Sequence, residues 1–373
     1  MINFLRTIQN LIKFFLFTNI RLKQFVFFSE NRNYSNVFYP IIMKLLDKKI
    51  YVIYITSDKK DFFYNYENEY LISFYISKVI GQISLLNYIE CRNLILTMPD
   101  LDNFHIKKSS KCRNYVYLFH SPVSTNMIYR NRAFFNYNKI FCVGEHHYKE
   151  LTNYKKKFDL KDIDLFKGGY PKLDHLVSDY NNRKVKILKN KVTIAPSWGK
   201  KNLIHYNLDI FFQSLLNNNF QINFRPHYQM IKFNSKIIKK IQRNFSSNKN
   251  FLYEGNNSSF ENVLNSEILI TDWSGMGIEY AFITGMPVIY VNTEKKVNNK
   301  NFNDIEEIPI EIKIRDKIGI IIEPEELKNI VLYIEKLRSN LDYYKSNILE
   351  QREKYIFNFR LSSSYITEKI LKF

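Results

Sequence analysis

Several things are scarce in this chain. Of its 373 residues only Cys91, Cys112 and Cys142 are cysteine, none at CxxC spacing, which rules against a disulfide framework or a cysteine-based zinc site and points to a reducing compartment. Glycine (10) and proline (9) are few while aromatics reach 16%, the reverse of the composition that keeps a chain disordered. Long apolar runs are missing too: the unbroken stretch Phe14–Phe17 near the start falls far short of the ~20 residues that cross a bilayer. No A-x-A-like cleavage site follows it, so a secretory signal is not expected. Acidic residues are the minority, 36 against 55 Lys and Arg, for a formal charge of +19. Such a field attracts nucleic acid, acidic lipid headgroups, nucleotides or phosphate-rich polymers without choosing among them. The runs Lys155–Lys157, Lys200-Lys201 and Lys239-Lys240 read as solvated faces.

A chain of this length exceeds the roughly 250–300 residues at which one core stops growing, so two domains are expected. Residues 1–24 place Leu5, Ile8, Leu11, Ile12 and Phe15 at helical spacing, an amphipathic helix suited to the interface of an anionic leaflet or to packing on its own domain. Residues 25–185 alternate β-rich and helical runs: Phe25–Phe28, a helix at Tyr39–Leu46, Tyr51–Thr56, a helical run at Leu71–Leu86, then Leu94–Thr97, Tyr115–Phe119 and Lys139–Val143. That is βαβ rhythm and predicts a parallel sheet. Gly168–Lys191 is polar and reads as an inter-domain passage. A second alternation over residues 190–345 runs from Val192–Ala195 through Gln221–Arg225, Phe251–Tyr253 and Ile268–Thr271 to Pro287–Asn292, with helices between, and residues 346–373 are predicted to be helical and to pack back on the first domain. Two doubly wound domains across a cleft match the α/β transferase architecture called GT-B, in which ligands sit at the carboxyl ends of the strands.

Three strand ends carry the chemistry. In Ile268–Ala281 a strand gives way to Asp272-Trp-Ser274-Gly275-Met-Gly277, then to a helix holding Glu279. A helix N-terminus with small residues is an anion site; Glu279 suits ribose hydroxyls, although Asp272 and Ser274 read equally as helix caps. In Phe224-Arg225-Pro226-His227 a rigid turn offers a guanidinium fork and an imidazole to phosphate. In Phe119-His120-Ser121-Pro122 a strand-end imidazole is a potential general base. Gly169-Tyr-Pro-Lys172-Leu-Asp174 and Ala195-Pro-Ser197-Trp198-Gly-Lys200-Lys201 read as loops on the cleft, with Ser197, Lys200 and Lys201 as further phosphate donors. His146-His147 and His205 have no partners at metal-ligand spacing, so neither metal nor cofactor is expected.

In this order, over roughly residues 110–295, these motifs resemble the CDP-glycerol glycerophosphotransferase family of teichoic-acid primases and polymerases. The resemblance implies a GT-B fold and a CDP-glycerol donor, or a related CDP-alcohol such as CDP-ribitol. It also implies a polymer or lipid-linked hydroxyl acceptor on the inner membrane face, in teichoic-acid or capsule-like surface polysaccharide synthesis, with no nucleic-acid partner. It assigns His120 as catalytic base, His227 with Arg225 to the diphosphate, and Asp272, Ser274 and Gly275 to phosphate and ribose. The family's His-Gly-Thr stands here as His120-Ser121-Pro122, and the second Ser of its phosphate turn is Gly275. The same fold also admits a sugar transferase using a nucleotide sugar, and +19 alone admits a non-catalytic polyanion binder.

Overall fold

Short runs of β-branched and aromatic residues become buried parallel strands here, because each face of a doubly wound sheet is covered by helices. A computed structural model describes residues 2–255 and 260–373, and the chain divides into two units. The first unit comprises Met1–His175, Asn298–Glu307 and Tyr355–Phe373; the second comprises Leu176–Val297 and Ile308–Lys354. Met1, the first residue of the expected N-terminal helix, lies outside the described residues.

The strands of the first unit are β1 (Phe25–Ser29), β2 (Val52–Thr56), β3 (Leu71–Tyr75), β4 (Cys91–Leu96), β5 (Cys112–Leu118), β6 (Lys139–Cys142) and β7 (Asp164–Lys167). They pair in parallel in the order β3-β2-β1-β4-β5-β6-β7. Helices α1 (Ile2–Ile12), α2 (Arg32–Asp47), α3 (Phe62–Asn65), α4 (Ile80–Leu86) and α5 (Glu145–Lys157) fall before or between them, and α6 (Pro171–Asn182) follows β7 and leads into the second unit. The expected helical run Leu71–Leu86 is corrected: its first third pairs with β2, Ile72 opposite Ile53, and only Ile80–Leu86 is helical. Alternation of Leu71, Ser73 and Tyr75 with apolar residues fits the strand period of two. The polar passage Gly168–Lys191 holds α6 and the start of the next strand, and the chain leaves the first unit within it, after His175.

The second unit repeats the plan with β8 (Leu188–Ile194), β9 (Gln221–Phe224), β10 (Phe251–Tyr253), β11 (Ser266–Thr271), β12 (Val288–Val291) and β13 (Gly319–Ile322), all parallel in the order β10-β9-β8-β11-β12-β13. Its helices are α7 (Leu208–Asn217), α8 (Tyr228–Phe233), α9 (Ser235–Phe245), α10 (Glu261–Leu264), α11 (Gly275–Thr284), α12 (Ile310–Lys313), α13 (Ile330–Ser339) and α14 (Leu341–Tyr355). Phe211, Phe212, Phe224 and Ile270 sit at the centre of its core. Both sheets reverse strand order once, at β1/β4 and at β8/β11, and the carboxyl ends of those pairs form the crevices where doubly wound sheets bind ligands.

From Tyr355 the chain belongs again to the first unit, where α15 (Ser362–Ile370) sets Ile366 and Ile370 into a core with Phe27, Phe38 and Tyr54. The motif Gly169–Asp174 makes that return. The Asp174 carboxylate accepts from Arg360 N (2.8 Å), Ser362 N (2.9 Å) and Ser362 Oγ (2.6 Å). Gly169, at φ +89°, leaves no room for a Cβ, which would stand 2.1 Å from the Phe357 carbonyl oxygen. Asp174→Ala strands buried donors at the start of α15, so it is expected to cost about 2–3 kcal/mol. Chemical denaturation checks this; an unchanged midpoint would remove Asp174 from the account of the C-terminal return.

Helix α1 has its polarity inverted. It buries Thr7, whose Oγ1 accepts from Ser77 N at 2.9 Å, and Asn10 donates to Tyr75 O at 2.8 Å. Phe4, Leu5, Ile8 and Ile12 stay exposed, and the following turn exposes Leu16 (75%) and Phe17 (77%) while burying Phe14. Of the stripe read from the sequence, only Leu11 and Phe15 are partly covered. Among the described residues no helix is long and apolar enough to cross a membrane.

Candidate functional site

In the second unit two loops are strapped together at the β8/β11 crevice. Thr271 Oγ1 donates to Ala195 O at 2.6 Å. The fully buried Asp272 accepts from Ser197 N (2.7 Å) on one oxygen and from Leu203 N (2.9 Å) on the other. Burial pushes the Asp272 carboxyl up; the backbone donors, the Ser197 hydroxyl and the charge of Lys296 act the other way. Asp272 and Ser197 therefore shape the loop for one another, inside the fold.

Ser274 caps α11, its Oγ accepting from Met276 N at 3.3 Å. A hydroxyl that accepts still has its own proton to donate, and Ser274, Gly275 and Met276 are only half-buried, so this first turn is the open end of a ten-residue helix. Gly277 was expected to let phosphate approach. Its small size serves packing, because an added Cβ would lie 2.7 Å from Tyr290 Oη. Glu279 is buried, 6% exposed, one helical turn beyond Gly275 on α11.

At the end of β9, Arg225 Nη1 donates to Glu254 Oε2 at 2.9 Å. Glu254 is itself buried and held by Asn223 (3.1 Å) and Asn262 (2.7 Å), so the guanidinium is aimed by a fixed carboxylate. His227 begins α8, and its Nδ1 accepts from Gln229 N at 3.2 Å. The lone pair is thus on Nδ1 and the proton of the neutral ring on Nε2, so Nε2 is the ring's donor atom. Its ring stacks near Trp198, centroids 6.2 Å apart. Lys200 is exposed, and Lys201 pairs with Glu294 at 3.7 Å.

In the first unit His120 follows β5, and its Nδ1 meets Thr97 O, past the end of β4, at 3.3 Å. A carbonyl can only accept, so Nδ1 carries the proton and Nε2 the basic lone pair. The Tyr34 ring, on the first turn of α2, stands edge-on at 5.0 Å. Tyr170 Oη donates to His120 O (2.7 Å), His146 Nε2 to Pro122 O (2.9 Å) and His147 Nε2 to Val123 O (2.7 Å), while Glu150 accepts from Thr125. Burial holds His147 well below the usual histidine range, so it stays neutral as a clamp. The doublet His146-His147, from which sequence spacing drew only the lack of metal partners, thus fixes the loop after His120. Among the described residues no group of three or more His, Cys, Asp or Glu could hold a metal ion.

Sequence reasoning missed Glu254, Arg315 and Lys296. Arg315 is 3% exposed, with its guanidinium 4.0 Å from the Trp273 ring and 4.9 Å from the Tyr290 ring, a buried cation behind the Asp272–Ser274 turn. No local motif marks any of the three; each meets the site through the sheet topology.

The family model for CDP-glycerol:poly(glycerophosphate) glycerophosphotransferase matches residues 123–308, a span that begins just after His120 and includes the second-unit residues from Ser197 to Lys296. No curated protein matches the chain. Among solved structures, the wall teichoic acid polymerase TagF is similar with a TM-score of 0.61 at 16% identity, over 99% of this chain and 97% of that one. TagF soaked with CDPG gives 0.59 at 15%, over 99% and 93%. The UDP-GlcNAc 2-epimerase of Neisseria meningitidis bound to UDP-GlcNAc gives 0.58 at 14%, over 94% and 100%. At such identities the likeness is one of fold: paired parallel sheets with flanking helices, the GT-B-like plan expected from the sequence.

Proposed function

Because the chain belongs to the CDP-glycerol:poly(glycerophosphate) glycerophosphotransferase family, we propose that it moves glycerol phosphate from CDP-glycerol to a hydroxyl of a polymer or lipid-linked acceptor and releases CMP. The observation that carries this reading is the opposite tautomers of two strand-end histidines. With Nδ1–H held by Thr97, His120 offers a lone pair on Nε2, the form a general base needs. With Nδ1 held by Gln229 N–H, His227 offers a proton on Nε2, the form a phosphate oxygen needs.

In this mechanism His120 Nε2 takes the acceptor's proton as its oxygen bonds to the phosphorus next to glycerol. The bond from that phosphorus to the bridging oxygen breaks, and CMP leaves with the electron pair. Arg225, His227, the Ser274 hydroxyl and the first turn of α11 with Gly275 balance charge on the departing phosphate, a reaction carried by positioning and electrostatics. Ser197 and Asp272 hold the loop, Lys200 adds an exposed positive charge, and Glu279, one turn along α11, accepts from the ribose hydroxyls of the donor.

The test is nucleotide release from CDP-glycerol, CDP-ribitol and UDP-sugars by the purified protein. CMP from a CDP-alcohol supports the reading; UDP from a UDP-sugar, with no CMP, replaces it with sugar transfer.

We also assign the enzyme to the inner membrane face. The inverted polarity of α1, its apolar side chains outward beside Arg6, Lys13 and Arg21, suits an anionic leaflet. Leu16→Ser with Phe17→Ser, both at exposed positions, is expected to lower co-sedimentation with phosphatidylglycerol-containing vesicles several-fold. Equal binding by parent and double variant would refute this assignment.

A further inference from the structure

Beyond β12 the chain runs past Thr293, whose carbonyl accepts from Trp273 Nε1 at 2.9 Å, to Lys296. Lys296 is half-buried, yet among the described residues its ammonium has no hydrogen-bond or ion-pair partner. Its Nζ stands 4.9 Å from the centroid of Trp198, the ring that also stacks with His227. One indole thus ties together the loop after β8, the turn after β9 and the segment after β12. The carboxylates that favour the ammonium are Asp272, on the β11–α11 turn, and Glu311, on α12. Asp272 has both oxygens taken by backbone N–H groups. Neighbouring Lys201, by contrast, has its own partner in Glu294. A partly desolvated ammonium without an acceptor is unfavourable unless an anion completes it.

We propose that Lys296 is a further donor-binding residue, a second side-chain cation beside Arg225 that grips the pyrophosphate of the CDP-linked donor. The inference deepens the function proposed above and rests on it. It has a pH signature: burial lowers the Lys296 pKa to about 8. The ammonium is then about nine-tenths charged at pH 7 and about one-tenth at pH 9. The charged form binds the donor, so affinity falls as pH rises through 8, and kcat/KM for the donor, which reports the free enzyme, falls with it. An arginine stays charged throughout.

The experiment measures binding of CDP-glycerol and of inorganic pyrophosphate by calorimetry at pH 7 and pH 9, with CMP release in parallel, for the parent, Lys296→Met and Lys296→Arg. Methionine keeps the apolar stem on Trp198. Lys296→Met is expected to weaken donor binding at pH 7 about 10- to 100-fold, the scale of one charge-assisted contact, and to lower kcat/KM for the donor by at least as much. Lys296→Arg keeps the affinity and flattens the loss between pH 7 and 9. Should Lys296→Met fail to fold, the flattened profile of Lys296→Arg decides the matter alone. Equal affinities for parent and Lys296→Met, or an unaltered alkaline loss in Lys296→Arg, overturn the inference while parental CMP release upholds the reaction. A parent that binds neither probe and releases no CMP overturns both.

Discussion

His120→Gln is expected to release CMP at least ~100-fold more slowly than the parent, the scale of losing a general base, with donor affinity nearly unchanged. Thr97 O fixes the imidazole with its proton on Nδ1, so the ring's basic atom is Nε2. A glutamine amide can reach a similar place and still cannot accept a proton near neutral pH. His120→Ala should be equally slow, because what is lost is the base itself. The loop it stands on is independently clamped by Tyr170, His146, His147 and Glu150, so either variant should keep its fold and its melting temperature. Near-parental CMP release by His120→Gln would remove His120 from the chemistry.

His227→Ala is expected to lose at least ~100-fold in turnover as well, from a missing charge stabiliser at the departing phosphate. Here glutamine should behave differently. With Nδ1 accepting from Gln229 N–H, the ring works through an N–H on Nε2, and an amide N–H can replace part of that. His227→Gln should therefore recover roughly tenfold over His227→Ala, within the range attributed to one oriented donor. The two histidines are distinguished by rescue: glutamine restores activity at one position and none at the other. If glutamine rescued His120 and failed at His227, the roles would be reversed.

Much of this site was legible as strand ends. Brief apolar runs closed by a turn and a polar residue located His120, Arg225, His227 and Ser274, and all four follow parallel strands. The signal is strong because a strand buried on both faces has few other ways to end. Elements of weak pattern were lost. Helix α5 is mostly polar, with only His146, His147, Glu150, Leu151 and Tyr154 buried, and β7 offers just Leu165 and Phe166 as apolar residues. The run Leu71–Leu86 merged a strand and a helix because only Ser77 and Lys78 separate them strongly.

Partnerships between distant segments were not legible at all. Asp174 meets Ser362, Arg225 meets Glu254, and Trp198 meets Lys296 only after sheet order is set. Gly277 likewise meets a distant partner: the space that a Cβ would take there is filled by Tyr290. In α1 the helical period was legible but not which face would turn inward, because Thr7 and Asn10 find backbone partners in the first unit while apolar neighbours stay exposed.

The most direct test follows the fate of phosphorus. CDP-glycerol labelled with 32P on the phosphate next to glycerol and with 14C in the glycerol, incubated with the enzyme and a lipid-linked glycerol phosphate primer, should put both labels into the primer in equal amounts as unlabelled CMP appears. Transfer of 14C without 32P, or appearance of 32P-labelled CDP, would contradict a glycerophosphotransferase.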